Sequence, residues 1–172
     1  MAQATENRPL GFLGSAYQLL IVASSSLQSV FLLGVRLYFG WQFIQTGWGK
    51  LQHIQRVIGF FGSLGIPFPA ANAWFISLLE VVGGALLAFG LGSRFLSLLF
   101  VGDMLVAYIT ADRDAFLSFF SDPSKFTSAS PFTFLFASLL ILIFGPGKIA
   151  LDALTERRLN GRADMPSSRA AA

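Results

Sequence analysis

The stretch LQSVFLLGVRLYFGWQFIQTGW, residues 27–48, carries a single charged side chain, Arg36. A helix that crosses a hydrocarbon core of about 30 Å needs roughly 20 mostly apolar residues, and this run meets that length. Three further apolar runs follow, Ala71–Leu91, Phe95–Ala111 and Pro131–Phe144. The last two are short for full spans, so they are expected to extend at their ends or to sit where the bilayer thins. The fold class read from these runs is an all-α membrane protein, a four-transmembrane-helix bundle.

Composition agrees. Of 172 residues, 54% are hydrophobic and 12% charged, with a mean hydropathy of +0.65, whereas a soluble domain carries roughly a quarter charged residues. The excess apolar surface calls for the lipid bilayer as a partner. Cysteine is absent and histidine occurs once. No disulfide, Cys/His metal site or haem held by two histidines is therefore expected. The basic cluster Arg157, Arg158, Arg162 and Arg169 has no interleaved aromatic residues, which points to membrane topology and not to nucleic acid.

Working outward from the first span, Leu10–Ala23 is apolar and leads through Ser24-Ser25-Ser26 into the span itself. It contains Tyr17 and Gln18 and runs almost directly into another apolar segment, so it reads as an N-terminal hydrophobic or interfacial helix in preference to a cleaved signal peptide. After the span, Ile54, Val57, Ile58, Phe61 and Leu64 recur at helical spacing opposite His53, Gln55 and Arg56, the pattern of an amphipathic surface helix. Gly65-Ile66-Pro67-Phe68-Pro69 stops that helix and turns the chain. Between spans three and four, the polar stretch Asp112–Ser130 carries Phe116, Phe119 and Phe120 at a spacing that lets them dip into the interface. Gly145-Pro146-Gly147 ends the fourth span and precedes a short amphipathic run, Ile149–Leu159. The expected organisation is a tail and interfacial segment over 1–26, the membrane domain over 27–152, and a basic, disordered tail over 153–172. Arg8, Arg94, Lys148 and the tail arginines fall on one side, against Lys50, Arg56, Arg113 and Lys125. The positive-inside rule then favours both termini in the cytoplasm.

Three ionisable residues lie within spans: Arg36, Glu80 and Asp103. Each costs several kcal/mol at the bilayer centre unless paired or hydrated, at roughly the 2.5–3.5 kcal/mol of insertion scales. Counting about 1.5 Å per residue from the helix ends puts all three at similar depth, and the expectation is that Arg36 contacts Glu80 or Asp103. One arginine and two carboxylates leave a spare negative charge, so one carboxyl is expected to hold a proton. The group reads equally well as a proton-handling site and as a salt bridge that locks three helices. Arg36, Gly40, Phe43, Gly47 and Lys50 share one face of the first helix, and Glu80, Gly84, Leu87 and Leu91 one face of the second. The small residues there read as packing more than as a ligand cleft. Trp41, Trp48 and Trp74 read as belt or core aromatics, and His53 as a solvated side chain.

Taken in order, Arg36, Gly47-Trp48-Gly49-Lys50-Leu51, Gly65-Ile66-Pro67, Glu80-Val81-Val82-Gly83-Gly84, Gly90-Leu91-Gly92-Ser93-Arg94, Met104 with Ala107, and Gly145-Pro146-Gly147-Lys148-Ile149-Ala150-Leu151-Asp152 resemble the DoxX family of small bacterial four-helix membrane proteins. The resemblance covers about residues 30–152. It implies a multi-pass protein of the bacterial inner membrane, linked to quinone-dependent oxidation as in thiosulfate:quinone oxidoreductase, or anchoring soluble redox enzymes in oxidative-stress complexes. The cofactor so implied is a quinone, and the partner a soluble or membrane redox protein. No catalytic residue transfers from the resemblance; Arg36, Lys50, Glu80 and Arg94 transfer only as motif positions.

Three functions compete at this point. The first is a membrane subunit of a quinone-linked oxidoreductase that has no redox centre of its own. The second is a non-catalytic adaptor, and the third a small proton-coupled transporter, whose four short helices form only a minimal pathway unless the chain makes a homo-oligomer. For the first, the expected ligand site lies where the first two helices meet the amphipathic helix, bounded by Trp48, Lys50 and Glu80 and roofed by Ile54–Leu64. The competing reading has Lys50 snorkelling to phosphate head groups and the helix lying in the interface.

Overall fold

A computed structural model describes residues 8–153. The tail arginines and the rest of the basic tail from residue 154 on lie outside the described residues. The chain is a multi-pass helical membrane protein, with no strand among the described residues.

Helix α1 (Arg8–Gln52) is a single 45-residue helix, about 67 Å long at 1.5 Å per residue. The N-terminal apolar run, expected as a separate helix ahead of the first span, is the direct continuation of that span. The serine triplet does not interrupt it, because serine has neither the ring of proline nor the conformational freedom of glycine that ends a helix. Helix α2 (Ile54–Ser63) is the amphipathic helix. Ile54, Val57, Ile58, Phe61 and Leu64 are half-buried while Gln55 and Arg56 are exposed, as the spacing predicts. His53 is exposed at its N-terminal end. The turn that follows places Phe68 in the left-handed region at φ 48°, and Asn72 Nδ2 donates to the Pro67 carbonyl at 2.6 Å across it.

The second span is one helical column in three parts: α3 (Pro69–Leu78), a π-helical turn over Leu79–Gly83, and α4 (Gly84–Phe89). Gly90 and Gly92, at φ 74° and 60°, reverse the chain into α5 (Ser93–Thr110). The connection after it holds two short helices, α6 (Arg113–Leu117) and α7 (Pro123–Ser128). Asp122 caps α7 by accepting from the Lys125 amide at 3.1 Å. Phe116 and Phe119 are partly exposed and Phe120 almost fully. Helix α8 (Pro131–Phe144) keeps the 14 residues of the apolar run, about 21 Å. The expected extension does not occur, because proline sets its first residue and Gly145, at φ 78°, its end.

The bundle is two antiparallel pairs, α1 along the second span and α5 along α8, with α1 also touching α8. Phe43 of α1 stacks on Phe100 of α5 at 3.9 Å between ring centroids, which joins the pairs through the core. In the first pair the glycine faces serve packing, as their spacing suggests. A Cβ on Gly40 would lie 2.7 Å from the Gly84 carbonyl, and one on Gly47 would lie 2.7 Å from the Cβ of Glu80. These contacts fix the axial register of the two helices.

Candidate functional site

That register decides which charges meet. Gly47 is the α1 residue opposite Glu80, and it lies about 16 Å along the helix from Arg36 at 1.5 Å per residue. The expected contact of Arg36 with Glu80 or Asp103 is therefore not made. The guanidinium is fully buried at the other end of the bundle, where Nη2 donates to the Ile149 carbonyl, Nη1 lies over Gly90, and Asp152 supplies the nearby negative charge. Depth counted from helix ends misjudged this, because α1 continues past its apolar run and glycine packing sets the offset of its neighbour.

The carboxylate of Glu80 meets Lys50 instead. Lys50 Nζ donates to Glu80 Oε1 at 2.7 Å, with Glu80 2% exposed and Lys50 30% exposed. Lys50 follows Gly47 by one turn, on the same face. Cα–Cβ bonds tilt toward the N-terminus of a helix, so the lysine stem runs back along α1 to the level of Glu80. Glu80 itself belongs to the π-helical turn, a departure from α-helix often found at functional sites. Its Oε2 has no hydrogen-bond partner among the described residues. Thr46 flanks the carboxylate and donates its hydroxyl to the Phe43 carbonyl at 3.0 Å. Asp103 comes in from α5, within electrostatic range of both Glu80 and Lys50. Its Oδ2 is buried and without a hydrogen-bond partner among the described residues. The site thus holds one cation and two carboxyls, with Lys50 in the place expected for Arg36.

Two cavities meet at this group. The larger, of about 580 Å³, lies beneath α2 and is walled by Val57, Phe60 and Phe61 from α2 and Leu64 at its C-cap, Phe75, Ile76 and Leu79 from the second span, and Leu99, Met104 and Val106 from α5. Lys50 and Asp103 are its charged lining residues. Phe60, Phe75 and Val106 also face outward with about half of each side chain exposed, so the cavity communicates with the lipid-facing surface. The smaller, of about 220 Å³, is lined by Glu80, Thr46, Lys50 and Phe134, with Asp112 and Ser130 from the ends of the connection between α5 and α8. Lys50 borders both. Of the residues expected to bound a ligand, Lys50 and Glu80 come together and α2 covers them. Trp48 does not join them, since it turns outward with 57% of its surface exposed.

A curated Bacillus subtilis (strain 168) protein named "Putative oxidoreductase CatD" is 30% identical over 118 residues, which span 69% of this chain and 81% of that protein. The DoxX family pattern matches residues 31–113. The chain belongs to the DoxX family. No solved structure matches it.

In this DoxX protein the motif residues divide into two sets. Lys50 and Glu80 form the paired site at one end. Arg36, the Gly90–Arg94 turn and the Gly145–Asp152 segment build a clasp at the other. Asp152 accepts from the Gly92 and Ser93 amides at 2.8 and 2.9 Å and donates its own amide to the Gly90 carbonyl at 2.9 Å, so a carboxylate distant in sequence caps the N-terminus of α5. The Lys148 amide donates to Ser29 Oγ at 3.4 Å, and the Arg94 guanidinium lies against Gly145. Sequence reasoning singled out Arg36 but missed Asp152 as its charge partner. The signal was available in the Gly90–Arg94 turn and the Gly145–Asp152 segment, whose glycines mark chain reversals that could dock on each other. It also missed the apolar α5 wall around Asp103, because the apolar residues of a span do not announce which of its faces lines a void.

Proposed function

We propose that this DoxX protein is a membrane subunit of a quinone-linked oxidoreductase system, holding a lipid-soluble quinone beneath α2 while a soluble or membrane-bound partner supplies the redox centre. The observation that carries the reading is the 580 Å³ apolar cavity that reaches the lipid-facing surface and ends on Lys50 and Asp103. Its volume falls in the range of small-molecule sites, about 300–1,000 Å³, and its few polar groups sit on an otherwise apolar wall, as such sites require. A lipid-soluble molecule enters from the membrane past Phe60 and Phe75, and its polar head comes to rest by the lysine and the carboxyls. The oxidoreductase name of the Bacillus subtilis relative supports the same class. In this reading the protein sits in the bacterial inner membrane with both termini in the cytoplasm.

The test is binding of a quinone analogue to purified protein and to Lys50→Ala and Glu80→Gln. Saturable binding to the wild type, weakened in at least one variant, is expected. No binding to the wild type, or affinity unchanged in both variants, puts the adaptor function ahead, and a protein that copurifies in mild detergent without quinone would identify the partner being recruited.

A further inference from the structure

The two cavities divide the charged group between them. Of the pair, Asp103 lines the larger and Glu80 the smaller, while Lys50 lines both. Glu80 Oε2 and Asp103 Oδ2 are both buried without a hydrogen-bond partner among the described residues. Each cavity therefore meets a carboxyl oxygen that has room for a further bond, and the lysine stands between the two. Its ammonium carries three N–H donors and gives one to Glu80 Oε1 at 2.7 Å, which leaves two for Asp103, a ligand or water.

The cavities open in different directions. The larger reaches the lipid-facing surface past Phe60 and Phe75. The smaller, of about 220 Å³, runs from Glu80 to the ends of the connection between α5 and α8, where Asp112 is half-buried and Ser130 exposed. It has room for several waters at about 30 Å³ each. Its charged lining groups are Lys50 from α1, Glu80 from the second span and Asp112 just after α5, and α8 adds the uncharged Pro131 and Phe134. The charged group thus has lipid on one side and an aqueous face on the other.

We propose that the smaller cavity is a proton passage, through which Glu80, Lys50 and Asp103 exchange protons with water at the Asp112–Ser130 mouth and pass them to or from a ligand in the larger cavity. The ligand's part rests on the quinone-site reading, and the passage stands without it. Reduction of a quinone to a hydroquinone takes two electrons, which the redox partner supplies, and two protons, which lipid cannot supply. Each proton reaches a quinone oxygen from the ammonium of Lys50 or from protonated Asp103, and is replaced through Glu80 from the mouth. Oxidation of a hydroquinone sends two protons the opposite way and two electrons to the partner. One cation beside two carboxyls leaves one negative charge for a proton to balance, and either carboxyl can hold it because both lie on the route. A salt bridge that only locks helices explains neither the second carboxyl nor a cavity that leads from the pair to the surface.

The test uses the full chain in an ester-free detergent, without quinone, and follows carboxyl protons by infrared spectroscopy after rapid mixing into cold deuterated buffer at neutral pH. Exposed carboxyls are ionised there, so the C=O band of a protonated carboxyl reports buried groups, and its loss in Glu80→Gln or Asp103→Asn assigns it. The mouth is closed after folding, by labelling purified Ser130→Cys with a bulky maleimide. Ser130 makes no side-chain capping bond and the native chain has no cysteine, so the substitution is mild and the label falls on one site. Labelled Ser63→Cys, exposed at the end of α2 and lining neither cavity, is the control. The label at Ser130 is expected to slow deuteration of the band at least about tenfold, and the label at Ser63 to leave it unchanged. Equal rates in the two labelled variants overturn the passage. A band that survives both Glu80→Gln and Asp103→Asn, or no band at all, overturns it too, because neither carboxyl then holds an exchangeable proton. Failure of quinone binding removes the ligand's part and leaves the passage, whereas failure of the passage leaves the quinone site standing.

Discussion

Lys50 and Glu80 close a 2.7 Å ion pair across the α1 interface with the second span, and the carboxylate is 2% exposed while the ammonium keeps a path outward. Removing the lysine strands a buried carboxylate, whereas replacing both residues by neutral side chains does not. Lys50→Met is expected to cost about 3 kcal/mol, and Lys50→Met combined with Glu80→Gln clearly less. Thermal unfolding of the single and double variants in one detergent measures this. A double variant that loses the sum of the two singles would show that the pair is not coupled.

Arg36 belongs to the opposite end of the molecule, and its charge partner is Asp152. A double-mutant cycle of Arg36→Leu with Asp152→Asn is expected to show an interaction of about 1 kcal/mol or more, and the cycle of Arg36→Leu with Glu80→Gln close to none. Coupling found only in the second cycle would return Arg36 to the carboxyl group inside the bundle.

Asp152 also caps α5 through the Gly92 and Ser93 amides. Asp152→Ala is expected to lower stability by at least about 1 kcal/mol, the ordinary cost of a lost cap. Faster amide hydrogen exchange at the first turn of α5, without change at α8, is the accompanying signature. Unchanged exchange at that turn would mean the carboxylate holds nothing in place.

The glycines of α1 are expected to respond in two classes. Gly47→Ala places a methyl group 2.7 Å from the Cβ of Glu80 and 2.8 Å from the Ser77 carbonyl, while Gly34 and Gly49 have nothing within 4 Å of an added Cβ. Gly47→Ala should cost about 1–3 kcal/mol. Gly34→Ala and Gly49→Ala should be neutral or slightly stabilising, since alanine is the better helix former. Equal melting temperatures for all three variants would contradict the close approach of the helices.

Single cysteines report orientation cleanly, because the native chain contains none. Ser63 and Ser128 are exposed at the Lys50 end of the bundle and Lys148 is exposed at the Arg36 end. In intact cells an impermeant thiol reagent is expected to label Ser63→Cys and Ser128→Cys and to miss Lys148→Cys. Labelling of Lys148→Cys alone would invert the topology.

What could be read from the chain by itself was local. Pro131–Phe144 was bounded to the residue because proline and glycine stand at its two ends, and the apolar face of α2 was legible because helical periodicity is written into five side chains. The packing role of Gly40, Gly47 and Gly84 followed from their shared faces. The continuity of α1 through its serines was not legible, since a change of composition does not by itself end a helix. Nor was the π-helical turn that carries Glu80, which depends on how the second span accommodates its neighbours. Tertiary structure alone decided the partner of each buried charge. Sequence gives distance along a helix, but the offset between two helices comes from where their backbones can touch, and a glycine contact at Gly47 moved Glu80 out of reach of Arg36 and into reach of the back-tilted stem of Lys50. The cavity belongs to the same class of fact, for a void is defined by walls from α2, the second span and α5 that approach one another only when the bundle is assembled.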